Sequence, residues 1–190
     1  MSIAATKIVR HIRLQIDDFD EVKVSDYQIL IFLNRALAAI STAVAARGLD
    51  FLTASQTYSG SSASTGANLP DDFQTLKEVT DGSTGYTLTP TYITKTPAAY
   101  EYKVMGEKIY CGAASYTLFY QKFIGPIDSL LTDSVAVPGY CLGLIVQTTV
   151  ALMQGTTPDV VVQLINNIIN TDFPGMTYDK QRGRVIENAG

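Results

Sequence analysis

Apolar residues recur along this chain with one period at its two ends and another in its middle. Over residues 2–16, Ile8, Ile12 and Ile16 stand four apart with Val9 beside them, while Lys7, Arg10 and Arg13 lie off that stripe. This spacing predicts a first helix. A second helix is predicted over 25–47. Ser25 and Gln28 form a capping box, Val24 and Ile29 hold the staple positions, and Leu30, Leu33, Leu37, Ile40 and Val44 make the apolar stripe. The many alanines between Ala36 and Ala46 raise helix propensity and keep the flanks slim. Gly48 supplies the stop. Helical spacing returns over 138–154, where Pro138 stands near the start and Cys141, Leu144, Ile145, Thr148, Ala151 and Leu152 form a stripe. A fourth helix, 158–171, begins at Thr157-Pro158-Asp159 and turns Val161, Leu164, Ile165 and Ile168 to one side.

Residues 50–125 lack that period and are rich in Thr, Tyr, Ser and Gly. Strands are expected over 51–58, 73–79, 86–94, 108–111 and 115–123, with a hairpin about Met105-Gly106. The tract SGSSASTG at 59–66 reads as a flexible loop. Asn68 to Phe73 reads as a turn leading into a strand. The expected fold class is α+β: a four-helix bundle from 1–49 and 126–171, an inserted antiparallel β-rich block at 50–125, and an extended C-terminal arm at 172–190. The arm opens with Pro174-Gly175, which cannot continue a helix. Phe173, Met176 and Tyr178 are isolated anchors, and Lys180, Arg182 and Arg184 alternate so that an extended strand would place them on one face. These six residues are the candidate partner-binding site.

Composition narrows the function classes. Charged residues are only 17% of the chain, well below the usual quarter, so the surface is weakly defended and suits a protein covered by partners. With a net charge of −4 and no basic run, tight or sequence-specific nucleic-acid binding is not expected. The N-terminal stretch lacks the apolar core of a secretion signal, so assembly in a cytoplasm is expected. No charge occurs over 134–158, but Pro138, Gly139, Gln147 and Gln154 interrupt the apolar run, which favours a buried helix over a membrane span.

Chemistry-bearing motifs are not found. There is no phosphate-binding glycine loop, no dinucleotide fingerprint, no nucleophile elbow and no zinc-helix motif. Asp17, Asp18, Asp20 and Glu21 lack calcium-loop spacing and read as a solvated turn. Asp71 and Asp72 are adjacent, so on a strand they would face opposite ways. His11 has no nucleophile at a helical spacing. Cys111 and Cys141 read as buried thiols, neither a disulfide nor a metal pair. Eleven tyrosines without a tryptophan read as sheet packing or subunit contacts ahead of a sugar platform. No catalytic site, cofactor or metal is expected.

The order of these pieces resembles the head–tail adaptor (connector) proteins of tailed bacteriophages. The resemblance rests on an acidic turn followed by SDYQILIFLNRALAAISTAVAARG, then Leu69-Pro70-Asp71-Asp72-Phe73 leading into a strand, then the hairpin Tyr102 to Tyr110. Tyr120-Gln121-Lys122, an acidic-tipped loop with Leu130 and Leu131, and a Pro-started helix complete it. It spans about residues 2–170. It implies a non-enzymatic virion subunit at the neck that forms a ring, twelve-fold by resemblance, beneath the portal protein. Such a ring extends the DNA channel, lets DNA pass without gripping it, and meets tail or nozzle proteins below. The C-terminal arm would grip the portal. Another virion ring component, such as a stopper or tail-completion subunit, stays open. So do a carbohydrate- or host-binding module and a small hydrolase.

Overall fold

A computed structural model of the protein describes residues 2–18, 22–172, 177–179 and 184–186. The chain divides into two compact units, one made of Met1–Leu52 and Phe123–Gly190 and the other of Thr53–Lys122.

The first unit is mainly helical. Strand β1 (Ile3–Ala4) leads into α1 (Ala5–Gln15), and α2 spans Asp26–Arg47. The predicted capping box forms at Ser25: the Gln28 N–H donates to Ser25 Oγ at 3.3 Å and the Ser25 N–H donates to Gln28 Oε1 at 3.0 Å. Gly48 closes α2 in the left-handed region, φ 66°, where a side chain is disfavoured. Ile29, Leu33, Leu37, Ile40 and Val44 are buried along α2, one stripe four and three residues apart.

The chain returning from the second unit is fastened to this helix by two polar side chains. Ser41 Oγ donates to the Leu37 carbonyl (2.8 Å) and accepts from the Ile124 N–H (2.9 Å). The Asn34 amide exchanges two bonds of 2.9 Å with the backbone of Ile127.

After the insertion come β9 (Ser134–Val135), which pairs antiparallel with β1, then α3 (Leu142–Met153) and α4 (Pro158–Asp172). Helix α3 contains no charge and buries residues around much of its circumference, among them Leu144, Ile145, Thr148, Thr149 and Val150. A helix apolar on nearly every side needs neighbours on nearly every side. The main helix packing accordingly runs through α3, against α2, α1 and α4. The expected four-helix bundle is therefore not what forms. The helices differ too much in length, 11 and 12 residues for α1 and α3 against 22 for α2, and they gather about a short hub helix.

The expected extended arm is corrected as well. Past α4, the described backbone forms two short strands, β10 (Thr177–Asp179) and β11 (Arg184–Ile186), paired antiparallel with Tyr178 opposite Val185. Both strands hold residues that favour extended backbone, Thr and Tyr in one and Val and Ile in the other.

The second unit is all β. Strands β2 (Thr53–Ser59), β4 (Phe73–Asp81) and β8 (Ser115–Lys122) form an antiparallel sheet with β8 in the centre. A four-stranded sheet runs β3 (Ala67–Asn68), β7 (Lys108–Cys111), β6 (Glu101–Met105), β5 (Thr89–Pro90). The block is not wholly antiparallel, because β5 runs parallel to β6 with Thr89 opposite Glu101. The strand expected over 86–94 contracts to two residues, since Pro90 has no N–H to give a ladder.

The core holds Val79, Leu88, Ile109, Leu118 and Tyr116. Tyr116 stacks on Tyr58 with ring centroids 4.9 Å apart. Gly112 is required by close packing: a Cβ there would lie 1.9 Å from the Ala98 carbonyl oxygen.

Candidate functional site

Of the six residues expected to dock a partner, Tyr178 lies on β10 and Arg184 on β11, where Arg184 stands opposite Asp179. Phe173, Met176, Lys180 and Arg182 lie outside the described residues.

A site that the residue pattern did not indicate lies in the helical unit. The acidic turn after α1 is not simply solvated. Asp18 is buried, and its carboxylate accepts from the backbone N–H groups of Val22 (3.0 Å), Lys23 (2.8 Å) and Val24 (3.1 Å) and from Arg13 Nη1 (2.8 Å). The Lys23 N–H bond leads in holding the Asp18 carboxyl below its ordinary pKa, with the Val24 and Val22 N–H bonds and the Arg13 charge adding to it against the opposing effect of burial. The guanidinium of Arg13 also reaches the Val24 carbonyl (3.1 Å) and Asp26 Oδ1 (2.5 Å). One buried arginine thus ties the end of α1 to the start of α2. Asp20 and Glu21, the other acids of that turn, lie outside the described residues.

Above this ion pair is a groove of about 400 Å³. Thr6, Val9, Arg10 and Leu14 of α1 form one wall, and Leu130 and Leu131 form the other. Leu130 is buried, while Leu131 is 80% exposed. Their loop is fixed by Asp133, whose carboxylate accepts from the N–H groups of Ser129 (2.9 Å) and Asp128 (2.8 Å) and is held below its ordinary pKa by those bonds. The groove joins aliphatic lips to the exposed cation Arg10. It suits an apolar anchor with a neighbouring acid, and it sets no nucleophile beside a base.

The other candidate groups are placed as follows. His11 is exposed on α1 and borders a separate shallow groove with Leu142 and Val146. Asp72 accepts from the Tyr120 hydroxyl at 2.7 Å, which binds the turn before β4 to the central strand. Burial pushes the Cys141 thiol up to about 12 and also raises Cys111, so both are poor nucleophiles at neutral pH. Among the described residues no cluster of His, Cys, Asp and Glu is arranged to hold a metal ion. In the β unit the exposed large side chains are concentrated on the segment after β4, with Tyr86, Tyr92, Ile93 and Tyr100 open to solvent.

Helix α2 is long and apolar enough to cross a membrane by length and composition, a test that core helices also pass, and its stripe is packed in the core of its unit. No protein-family model matches the chain, and no curated protein matches it.

The Arg13 site escaped the sequence because Arg13 stands beside Ile12, off the apolar stripe, where a charged residue ordinarily meets solvent. The available signal was its i+5 relation to Asp18 across a helix end. Leu130 and Leu131 had been singled out only through the resemblance.

Proposed function

We propose that this chain is a non-enzymatic structural virion protein, a head-to-tail adaptor subunit that forms a ring beneath the portal, extends the DNA channel and offers the tail its attachment surface. The observation that carries the reading is the order of parts: a helical unit interrupted between its second and third helices by an all-β unit that contains the Leu69-to-Phe73 turn, the β6–β7 hairpin and the Tyr120-Gln121-Lys122 element. The groove beneath Leu131 and the exposed tyrosines of the β unit support it as surfaces suited to burial in an assembly. The proposed docking residues on the portal side are Phe173, Met176, Tyr178, Lys180, Arg182 and Arg184.

The test is negative-stain imaging of the purified protein with its portal. Rings seated on the portal are the expected result. Deletion of residues 174–190 is expected to abolish attachment while leaving the melting temperature nearly unchanged. Rings that bind tail components but no portal would make the chain a stopper or tail-completion subunit. Glycan binding through Tyr86, Tyr92 and Tyr100 would replace the reading altogether.

A further inference from the structure

The sheet β2-β8-β4 has two edges, and the chain treats them differently. Along β4 the register against β8 shifts twice, between Phe73 and Thr75 and between Leu76 and Glu78, and Lys77 and Glu78 add charge. The following segment then folds back over that edge. The Leu88 N–H donates to the Val79 carbonyl and the Asp81 N–H to the Tyr86 carbonyl, both at 2.8 Å. Bulges, charges and cover are the devices that keep an edge from pairing with another chain.

From Ser55 to Ser59, strand β2 has none of them among the described residues. Its seven residues, TASQTYS, carry no charge and no proline, and they pair with β8 without a register shift. The ladder continues past the strand, where the Gly60 N–H donates to the Ala114 carbonyl at 2.7 Å. That bond fixes the phase of the antiparallel ladder: Ala54, Gln56 and Tyr58 face β8 with their backbone groups, and Ser55, Thr57 and Ser59 turn theirs outward. These last three residues are exposed. From Ser55 to Ser59, the bond that reaches this edge is a long one, 3.3 Å, from Gln56 Nε2 to the Thr57 carbonyl.

We propose that β2 is a strand-pairing surface whose occupant is β2 of a second copy of this chain, antiparallel about Gln56. The edge is neutral throughout, so self-pairing brings no like charges together. In this register Gln56 meets the partner's Gln56 and Ser55 meets the partner's Thr57. Ala54 meets the partner's Tyr58, a small residue opposite a large one on the face that packs against the β core. The two-fold contact consumes the β2 edges of this sheet and leaves its guarded β4 edges, so pairing through this sheet stops at two copies. It is isologous, unlike the head-to-tail contacts of a ring, and stands or falls independently of the adaptor reading.

The test uses the full chain. Sedimentation equilibrium is expected to show a reversible dimer. Gln56→Cys is expected to give a disulfide-linked dimer on mild oxidation, because opposed Cβ atoms across a non-hydrogen-bonded pair lie about 4.5–5.5 Å apart. Ser55→Cys, whose copy is offset along the strand, is expected to give little. The native thiols are buried and contribute no background. Thr57→Pro removes an outward N–H without touching the ladder to β8, and Gln56→Lys sets like charges face to face. Each is expected to weaken the dimer roughly tenfold or more, with unchanged circular dichroism. A wild-type chain still monomeric at about 1 mM overturns the proposal and leaves the edge to a strand of a different protein. So does a dimer that survives both substitutions, or equal cross-linking at 55 and 56.

Discussion

Among the described residues, the helical unit fills its core with Ile, Leu and Val and buries no aromatic side chain, whereas the β unit centres on Tyr116 and Tyr120. An aliphatic core asks only for volume and shape, and the hub helix α3 supplies both. An aromatic core with hydroxyls asks in addition for partners at fixed points. Those partners come from what look like loops. Ser62, in the serine-rich tract before β3, is buried; its Oγ meets the Tyr116 hydroxyl at 2.7 Å, donates to the Ile109 carbonyl at 3.1 Å and accepts from the Cys111 N–H at 3.0 Å. Asp72, in the turn before β4, does the same for Tyr120. Loops in the β unit are thus part of its core, whereas in the helical unit they fasten elements that are already packed.

This contrast can be broken by substitution, beginning with the largest effect. Leu37 is fully buried in the aliphatic core, so Leu37→Ala is expected to cost about 2–5 kcal/mol in a denaturant melt. A cost near zero would mean that the helical core does not depend on its stripe. Ser62→Ala removes only an oxygen but leaves the Tyr116 hydroxyl and the Cys111 N–H short of a partner, and is expected to cost about 1–3 kcal/mol. Hydrogen exchange should then quicken at Ile109 and Cys111. If Ser62→Ala is silent, the serine tract is only a loop and the contrast fails.

A smaller effect is expected from pH. The Ser83 hydroxyl and the Thr84 and Ser83 N–H groups lead in lowering the Asp81 carboxyl to about 2. A carboxyl lowered on folding contributes stability that is present above its unfolded value near 4 and is lost as pH falls through about 2. The melting-temperature gap between the wild type and Asp81→Asn should therefore shrink from pH 5 to pH 2. A constant gap would show that the charge contributes nothing. The smallest effect is expected at Gln121, which is buried with neither amide atom bonded. Gln121→Met should leave stability unchanged or raise it by up to about 1 kcal/mol. A loss would add one more placed polar partner to the β core.

What was legible in the sequence was what is decided locally. The start and stop of α2 follow from Ser25, Gln28 and Gly48, all within a few residues of the ends they close. The β6–β7 hairpin likewise follows from its own turn, with Val104 opposite Ile109. Packing direction was not legible in α3, because a helix apolar on most sides names no partner, and the bundle expectation failed there. The parallel pairing of β5 with β6 and the burial of Ser62 depend on residues far along the chain, on which local pattern is silent. At the candidate site local pattern marked neither wall nor floor: Leu130 and Leu131 entered through the family resemblance alone, and the Arg13–Asp18 pair, five residues apart across a helix end, did not stand out.

The strand by which the chain leaves the helical unit and the strand by which it comes back are neighbours in one sheet, Thr53 lying opposite Gln121. On the ribosome this imposes an order. Helix α2 emerges with its apolar stripe complete, but α3, its main packing partner, follows only after the whole β unit has been made. The β unit draws its sheet partners entirely from itself and can close first. Closing it brings residues 53 and 121 together, which shortens the loop between α2 and α3 several-fold and lowers the entropy cost of their docking by about 1 kcal/mol. The insertion then acts as a clasp for the nascent helices, and a β unit slowed in folding should leave α2 exposed to chaperones for longer.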